Sequence, residues 1–137
     1  MGRILALDYG LKRTGIAVTD ELQLIASGLT TVTTEELLPF LRAYVAEEKV
    51  DLMLIGEPKQ MNNTPSESEK YIATFIKKLR KELPELAVER VDERFTSKMA
   101  VQSMIAGGVK KGKRRDKALV DEISATLILQ SFLTSKN

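Results

Sequence analysis

The chain has no cysteine, no histidine and no tryptophan among its 137 residues. Without cysteine there is no disulfide framework, no thiolate nucleophile and no cysteine-based zinc site. Without histidine, Ser-His-Asp and Cys-His catalysis are excluded, as are imidazole metal ligands and imidazole general bases. Aromatic residues make up only 5% of the chain, so stacking platforms of the single-strand-binding type are poorly supplied. No stretch approaches the ~20 apolar residues of a membrane span, and the N-terminus carries no apolar core of signal-peptide length. A cytoplasmic protein with no membrane partner is expected. If the chain is an enzyme, its chemistry rests on carboxylates, lysines, hydroxyls or a metal ion.

What is present is an ordinary globular composition, 43% hydrophobic and 29% charged, at a length that suits one domain, residues 1–137. The net charge of +2 is too small to name a partner by itself. The apolar patterning gives the element order. Residues 2–7 read as a strand ending on Asp8, and 9–13 as a short turn. Residues 14–19 read as a second strand, and the Thr-, Leu- and Val-rich 23–32 as a third, so the start is an antiparallel meander. Thr33 and Glu36 have capping-box spacing, and Leu37, Leu38, Leu41, Tyr44 and Val45 follow at helical period, which predicts a helix over 34–48. Residues 50–56 form a continuous apolar run, the mark of a strand buried on both faces. A second capping box, Ser66 and Glu69, precedes the stripe Tyr71, Ile72, Phe75, Ile76, Leu79 and Leu83, a helix ending before Pro84. Residues 87–91 make a fifth strand running into Asp92 and Glu93. Thr96 or Ser97 caps a further helix that stops at Gly107-Gly108. The last helix spans about 117–133, with Leu119, Val120, Ile123, Leu127 and Phe132 as expected core contacts. The order β-β-β-α-β-α-β-α-α is that of an α/β ribonuclease H-like fold, a mixed five-stranded sheet with helices on both faces.

Asp8 is the first anomaly. It is a carboxylate at the inner end of an apolar strand, where a lone charge costs several kcal/mol unless a cation, a donor set or a metal offsets it. In a mixed sheet of this order, strands one, four and five run parallel and share one C-terminal edge, where ligand sites lie. Asp92 and Glu93 reach that edge from strand five, and Asp121 reaches it from the first turns of the last helix. Converging carboxylates repel one another, and their natural partner is a hard divalent cation, Mg²⁺ or Mn²⁺, bound by oxygen ligands alone. Two such ions ~3.5–4 Å apart can activate water and stabilise the leaving oxygen in phosphodiester cleavage, with no histidine required. Each acid taken singly also has a bland explanation: turn chemistry for Asp8, a surface ion pair for Asp92 and Glu93, and a helix-terminal carboxylate for Asp121. Their convergence carries the chemical reading.

Lys110, Lys111, Lys113, Arg114 and Arg115 form a basic run before the last helix. The run is either a solvated loop or a phosphate-binding border of the acidic edge. Arg13 and Arg94, each close in sequence to a candidate carboxylate, serve the same purpose or form structural pairs. Tyr9, beside Asp8, is the one aromatic placed to meet a nucleic acid.

Four segments, LALDYGLKRTGIAVTD, IGEPKQMNNT, VDERFTSKMA and VDEISATLILQSFL, together resemble the YqgF family over nearly the whole chain. Members of that family are described as Holliday junction resolvases or pre-16S rRNA nucleases. The resemblance implies a ribonuclease H-like fold, a divalent-metal nuclease activity, a cytoplasmic location and a role in maturing the 5′ end of 16S rRNA. By motif position it makes Asp8, Glu93 and Asp121 the catalytic and metal-binding set, with Asp92 competing with Glu93. The family usually has Gly-Leu-Pro where this chain has Gly56-Glu57-Pro58, so Glu57 is either a further ligand or a surface change. It often has Asn-Gly-Thr where this chain has Asn62-Asn63-Thr64, and asparagine tolerates the same turn.

The expected activity is therefore a metal-dependent endonuclease acting on pre-rRNA or branched DNA. Two other readings stand beside it. Asp-x-Gly followed by Arg-x-Gly also resembles the first phosphate motif of actin-like ATPases and sugar kinases, although those need two such domains. A non-catalytic nucleic-acid-binding or ribosome-assembly module would keep the fold without cleavage. Symmetric cutting of a four-way junction demands a two-fold dimer, and no dimer interface is visible in the sequence.

Overall fold

Residues 4–7 are buried because the strand that contains them is the middle one of five. The computed structural model describes residues 2–57, 69–92 and 117–136. Their elements are β1 (Arg3–Tyr9), β2 (Arg13–Thr19), β3 (Ala26–Thr33), α1 (Thr34–Glu47), β4 (Val50–Glu57), α2 (Glu69–Glu82), β5 (Ala87–Asp92) and α3 (Lys117–Lys136). The sheet order is β3-β2-β1-β4-β5. β1, β2 and β3 form the expected antiparallel meander, and β4 and β5 add in parallel. The mixed five-stranded α/β sheet read from the sequence is the observed one. The expected helix between Thr96 or Ser97 and Gly107 lies outside the described residues, as does Ser66. Among the described residues no helix is long and apolar enough to cross a membrane.

Strand alternation sorts the sheet into two cores. Leu5, Leu7, Ile16, Met53 and Ile55 point to one face, where Leu37 and Leu41 of α1 and Ile72, Phe75, Ile76 and Leu79 of α2 cover them. Ile4, Ala6, Ala17 and Leu54 point to the other face, under Ala125, Ile128 and Leu129 of α3.

Three local expectations change. The buried stripe of α3 is Ala125, Ile128 and Leu129, while Leu119, Val120, Ile123 and Leu127 are only half-buried. The sheet beneath decides this: α3 settles where the strands present small side chains. Thr33 is the N-cap of α1 but makes no side-chain capping bond. The next residue anchors the helix instead. Thr34 donates its hydroxyl to the Gly10 carbonyl at 2.6 Å and its amide to the Lys12 carbonyl at 3.0 Å. Finally, β3 starts at Ala26 rather than at 23. The Asp20 carboxylate takes the amides of Leu22, Leu24 and Ile25 at 3.1, 2.9 and 2.8 Å, and Gln23 adopts a φ of 59°. Those bonds hold 20–25 as a turn although its composition suits a strand.

Candidate active site

The site begins with the register of β1 on β2. Asp8 lies directly opposite Gly15, as Ala6 lies opposite Ala17. Directly opposed residues of an antiparallel pair share a face, with β-carbons about 4.5–5.5 Å apart. Ala6 and Ala17 both pack under α3, so Asp8 is on the α3 face. Leu7 and Ile16 belong to the opposite core, and Tyr9 packs against that core too.

Gly15 brings the helix in. A β-carbon added there would fall on the backbone carbonyl of Asp121, so only glycine lets the start of α3 lie flat on β2. Gly28, one strand further out, leaves room for the Glu122 side chain. Asp121 is one turn before Ala125 and two turns before Leu129, on the stripe that faces the sheet. Strand register and helix contact therefore bring Asp8 and Asp121, separated by more than a hundred residues in sequence, to the same edge of the sheet.

Arg13 closes this corner. Its Nε donates to Asp121 Oδ2 at 3.0 Å, with the two side chains 36% and 22% exposed. Of the two roles open to Arg13 in the sequence, the structure shows the ion pair. At this exposure the pair contributes at most ~1 kcal/mol to stability, so its larger effect is to orient the carboxylate. Buried Ser124, one turn beyond Asp121, has a hydroxyl with no hydrogen-bond partner among the described residues.

The parallel strands complete the edge. Glu57 ends β4 in register with Asp92 of β5. Glu57 has the parity of Met53 and Ile55, which places it on the α1/α2 face, away from Asp8 and Asp121. The structure thus separates Glu57 from the other two acids. Glu93, Arg94 and the basic run Lys110, Lys111, Lys113, Arg114 and Arg115 lie outside the described residues, and of Asp92 only the strand position is described. No group of three or more acidic side chains able to hold a metal ion occurs among the described residues. The two acids placed at this edge, Asp8 and Asp121, are hard oxygen donors on stiff elements, a chemistry that suits Mg²⁺ or Mn²⁺.

The sequence alone did not single out Arg90. Its guanidinium forms a fork with Glu69, at 2.6 Å from Nη1 and 2.8 Å from Nη2, and also donates to the Ile55 and Gly56 carbonyls at 3.2 and 3.1 Å. The fork ties the start of α2 to the end of β4 and satisfies strand carbonyls at the functional edge. No sequence signal marks it, because the two partners are 21 residues apart. Tyr9 is partly buried against Phe75, with ring centroids 5.2 Å apart, and burial raises its hydroxyl pKa above the usual 10.0. It is a neutral phenol at physiological pH.

A five-stranded mixed sheet with two acids gathered at its parallel C-terminal edge defines the class: an α/β protein of the ribonuclease H-like fold. Two solved structures share this architecture. The Holliday junction resolvase of fowlpox virus is 16% identical with a TM-score of 0.51, covering 97% of this chain and 99% of that one. RuvC of Thermus thermophilus, in complex with Holliday junction substrate, is 14% identical with a TM-score of 0.57, covering 98% of each chain. At such identities the likeness concerns the fold.

The chain belongs to the RuvX (YqgF) family, described as "Holliday junction resolvase", whose sequence profile matches residues 2–135. Its relatives carry a second description. A protein of Christiangramia forsetii, 69% identical over 97% of this chain and 98% of its own length, is named "Putative pre-16S rRNA nuclease". One of Bacteroides thetaiotaomicron, 62% identical over 99% of both chains, has the same name. Both descriptions are of nucleases acting on nucleic acid, and the membership expected from the motifs is borne out.

Proposed function

We propose that this chain is a divalent-metal-dependent endonuclease that hydrolyses phosphodiester bonds in the maturation of the 5′ end of pre-16S rRNA, in the cytoplasm. The observation that carries the reading is the contact of α3 with Gly15, which sets Asp121 beside the strand position of Asp8. The names of the relatives support rRNA as the substrate.

Asp8, Asp121 and Glu93 are assigned as the residues that hold Mg²⁺ or Mn²⁺. Glu93 is preferred to Asp92 by its place in the motif Asp-Glu-Arg-x-Thr-Ser, with Asp92 as its competitor. A divalent ion held there supplies charge for the phosphate and an acidified water. The chain does the rest. β1 fixes Asp8 from the centre of the sheet, and Arg13, itself partly exposed, orients Asp121 and is assigned to a phosphate oxygen of the substrate. Lys110, Lys111, Lys113, Arg114 and Arg115 hold the backbone of the nucleic acid, together with Arg94.

The test offers wild type and Asp8→Asn two labelled substrates in Mn²⁺: an RNA spanning a 16S 5′ precursor junction and a DNA four-way junction. Wild type is expected to cleave the RNA. Asp8→Asn keeps the shape of the side chain but loses the charge a hard cation needs, which lowers the rate on the order of a thousandfold, the equivalent of several kcal/mol. Equal cleavage by both proteins removes Asp8 from the mechanism. The family description favours a second reading, resolution of four-way DNA junctions, and cleavage of the junction alone would select it. Binding of both substrates with cleavage of neither would leave a ribosome-assembly module.

A further inference from the structure

On the face of the sheet opposite the carboxylates, a cleft of about 600 Å³ runs between α1 and α2. It reaches the same edge, because Tyr9, the residue after Asp8, is among its lining residues. Its contents are unusual for a chain with so few aromatics. Tyr9 and Phe75 form its floor, and Tyr71, 46% exposed, stands at its side with the Lys70 ammonium 5.3 Å from the ring centroid. Two of the chain's three tyrosines therefore line one cleft. Lys78, two turns along α2 from Tyr71, lines the same wall, and Arg42 faces it from α1, where it is paired with Glu82. Glu35 is the one acid in the lining.

An exposed ring beside cations matches a nucleobase with its phosphate. The ring offers a π-face to any base, and Lys78 offers a point charge to the phosphate. We propose that the α1–α2 cleft is a subsite for one unpaired nucleotide of the substrate strand, with the base on Tyr71 and Tyr9 and the phosphate at Lys78. The subsite rests on the nuclease reading above. It deepens that reading by selecting a substrate that is single-stranded next to the cut: β1 alternation puts the acid and the cleft on opposite sides of one strand end, so a strand crossing the edge meets both.

The test measures binding in EDTA, so no cleavage intervenes. A single-stranded RNA octamer and a blunt RNA duplex of equal length are titrated into wild type, Tyr71→Ala, Lys78→Ala and Lys77→Ala. Tyr71→Ala should weaken single-strand binding about tenfold, within the range seen for removing one base–aromatic stack, and leave duplex binding within about twofold. Lys78→Ala should reduce the slope of log K against log salt by about 0.7. Lys77→Ala, on the exposed side of α2, should change neither. In the spectrum of labelled wild type, adenosine monophosphate should shift Tyr71, Thr74 and Lys78 amides. Unchanged octamer binding by both Tyr71→Ala and Lys78→Ala overturns the subsite, and does so without touching the nuclease reading if wild type still cleaves RNA. Shifts confined to residues of α3 overturn it too. A wild type that neither binds nor cleaves RNA overturns the nuclease reading and the subsite with it.

Discussion

The two faces of the sheet are built from different residues. Toward α1 and α2 the strands present Leu5, Leu7, Ile16, Met53 and Ile55, and the helices answer with leucine, isoleucine and phenylalanine. Toward α3 they present only Ile4 and Leu54 as large buried residues beside the small Ala6, Gly15, Ala17 and Gly28, and the helix answers with Ile128 and Leu129 beside Ser124 and Ala125. Each fully buried large side chain contributes about 1.5–3 kcal/mol, so the first face carries most of the stability. The second face brings backbone close to backbone, and close approach is what holds two acids from distant parts of the chain at one edge. Stability and site geometry therefore load different residues, and substitutions on the two faces should fail differently.

Leu41→Ala breaks the comparison from the stable side. Leu41 is wholly buried in the α1/α2 core, and its truncation is expected to cost about 2–5 kcal/mol. Urea unfolding would show the loss, while cleavage per folded molecule at low temperature stays within about twofold of wild type. A large fall in that specific activity would mean that the two faces are not separable.

Gly15→Ala probes the other face. The added methyl meets the Asp121 carbonyl, so α3 must shift. Overpacking of this kind costs about 1–3 kcal/mol, less than the leucine truncation, yet cleavage should fall further because Asp121 moves with the helix. The same two measurements decide it. A stability loss with normal cleavage would release Asp121 from the mechanism.

This division explains what could be read from the sequence. The strands were visible as apolar runs, and Asp8 was visible because a charge interrupts one of them. α1 and α2 were visible because their apolar residues recur at helical period. The buried side of α3 was not, since apolar residues occur all around positions 119–133 and the period is blurred. What selects its face is the small-residue shelf of Ala6, Gly15, Ala17 and Gly28, and that shelf exists only once the strands are in register. The Arg90–Glu69 fork and the α1–α2 cleft were hidden for the same reason: each is made by elements brought together in the fold.

A final contrast lies along the sheet rather than across it. Asp8 and Asp20 are carboxylates at opposite ends of the β1–β2 pair. Asp20 needs no cation, because the backbone amides of Ile25 and Leu24, then Leu22, hold its carboxyl below the ordinary value of 3.8. A carboxylate with a depressed folded pKa contributes stability above its unfolded value, and that contribution is lost as the pH falls through the folded one. The stability difference between wild type and Asp20→Asn should therefore be constant above about pH 5 and vanish below the ordinary carboxylate range. Urea midpoints of both proteins across that interval measure it. Neutral-pH cleavage should be the same for both, since Asp20 is at the far end of the sheet from Asp8 and Asp121. A difference in stability that persists undiminished into strong acid would mean that the bonds from the Leu22, Leu24 and Ile25 amides to Asp20 do not need the charge.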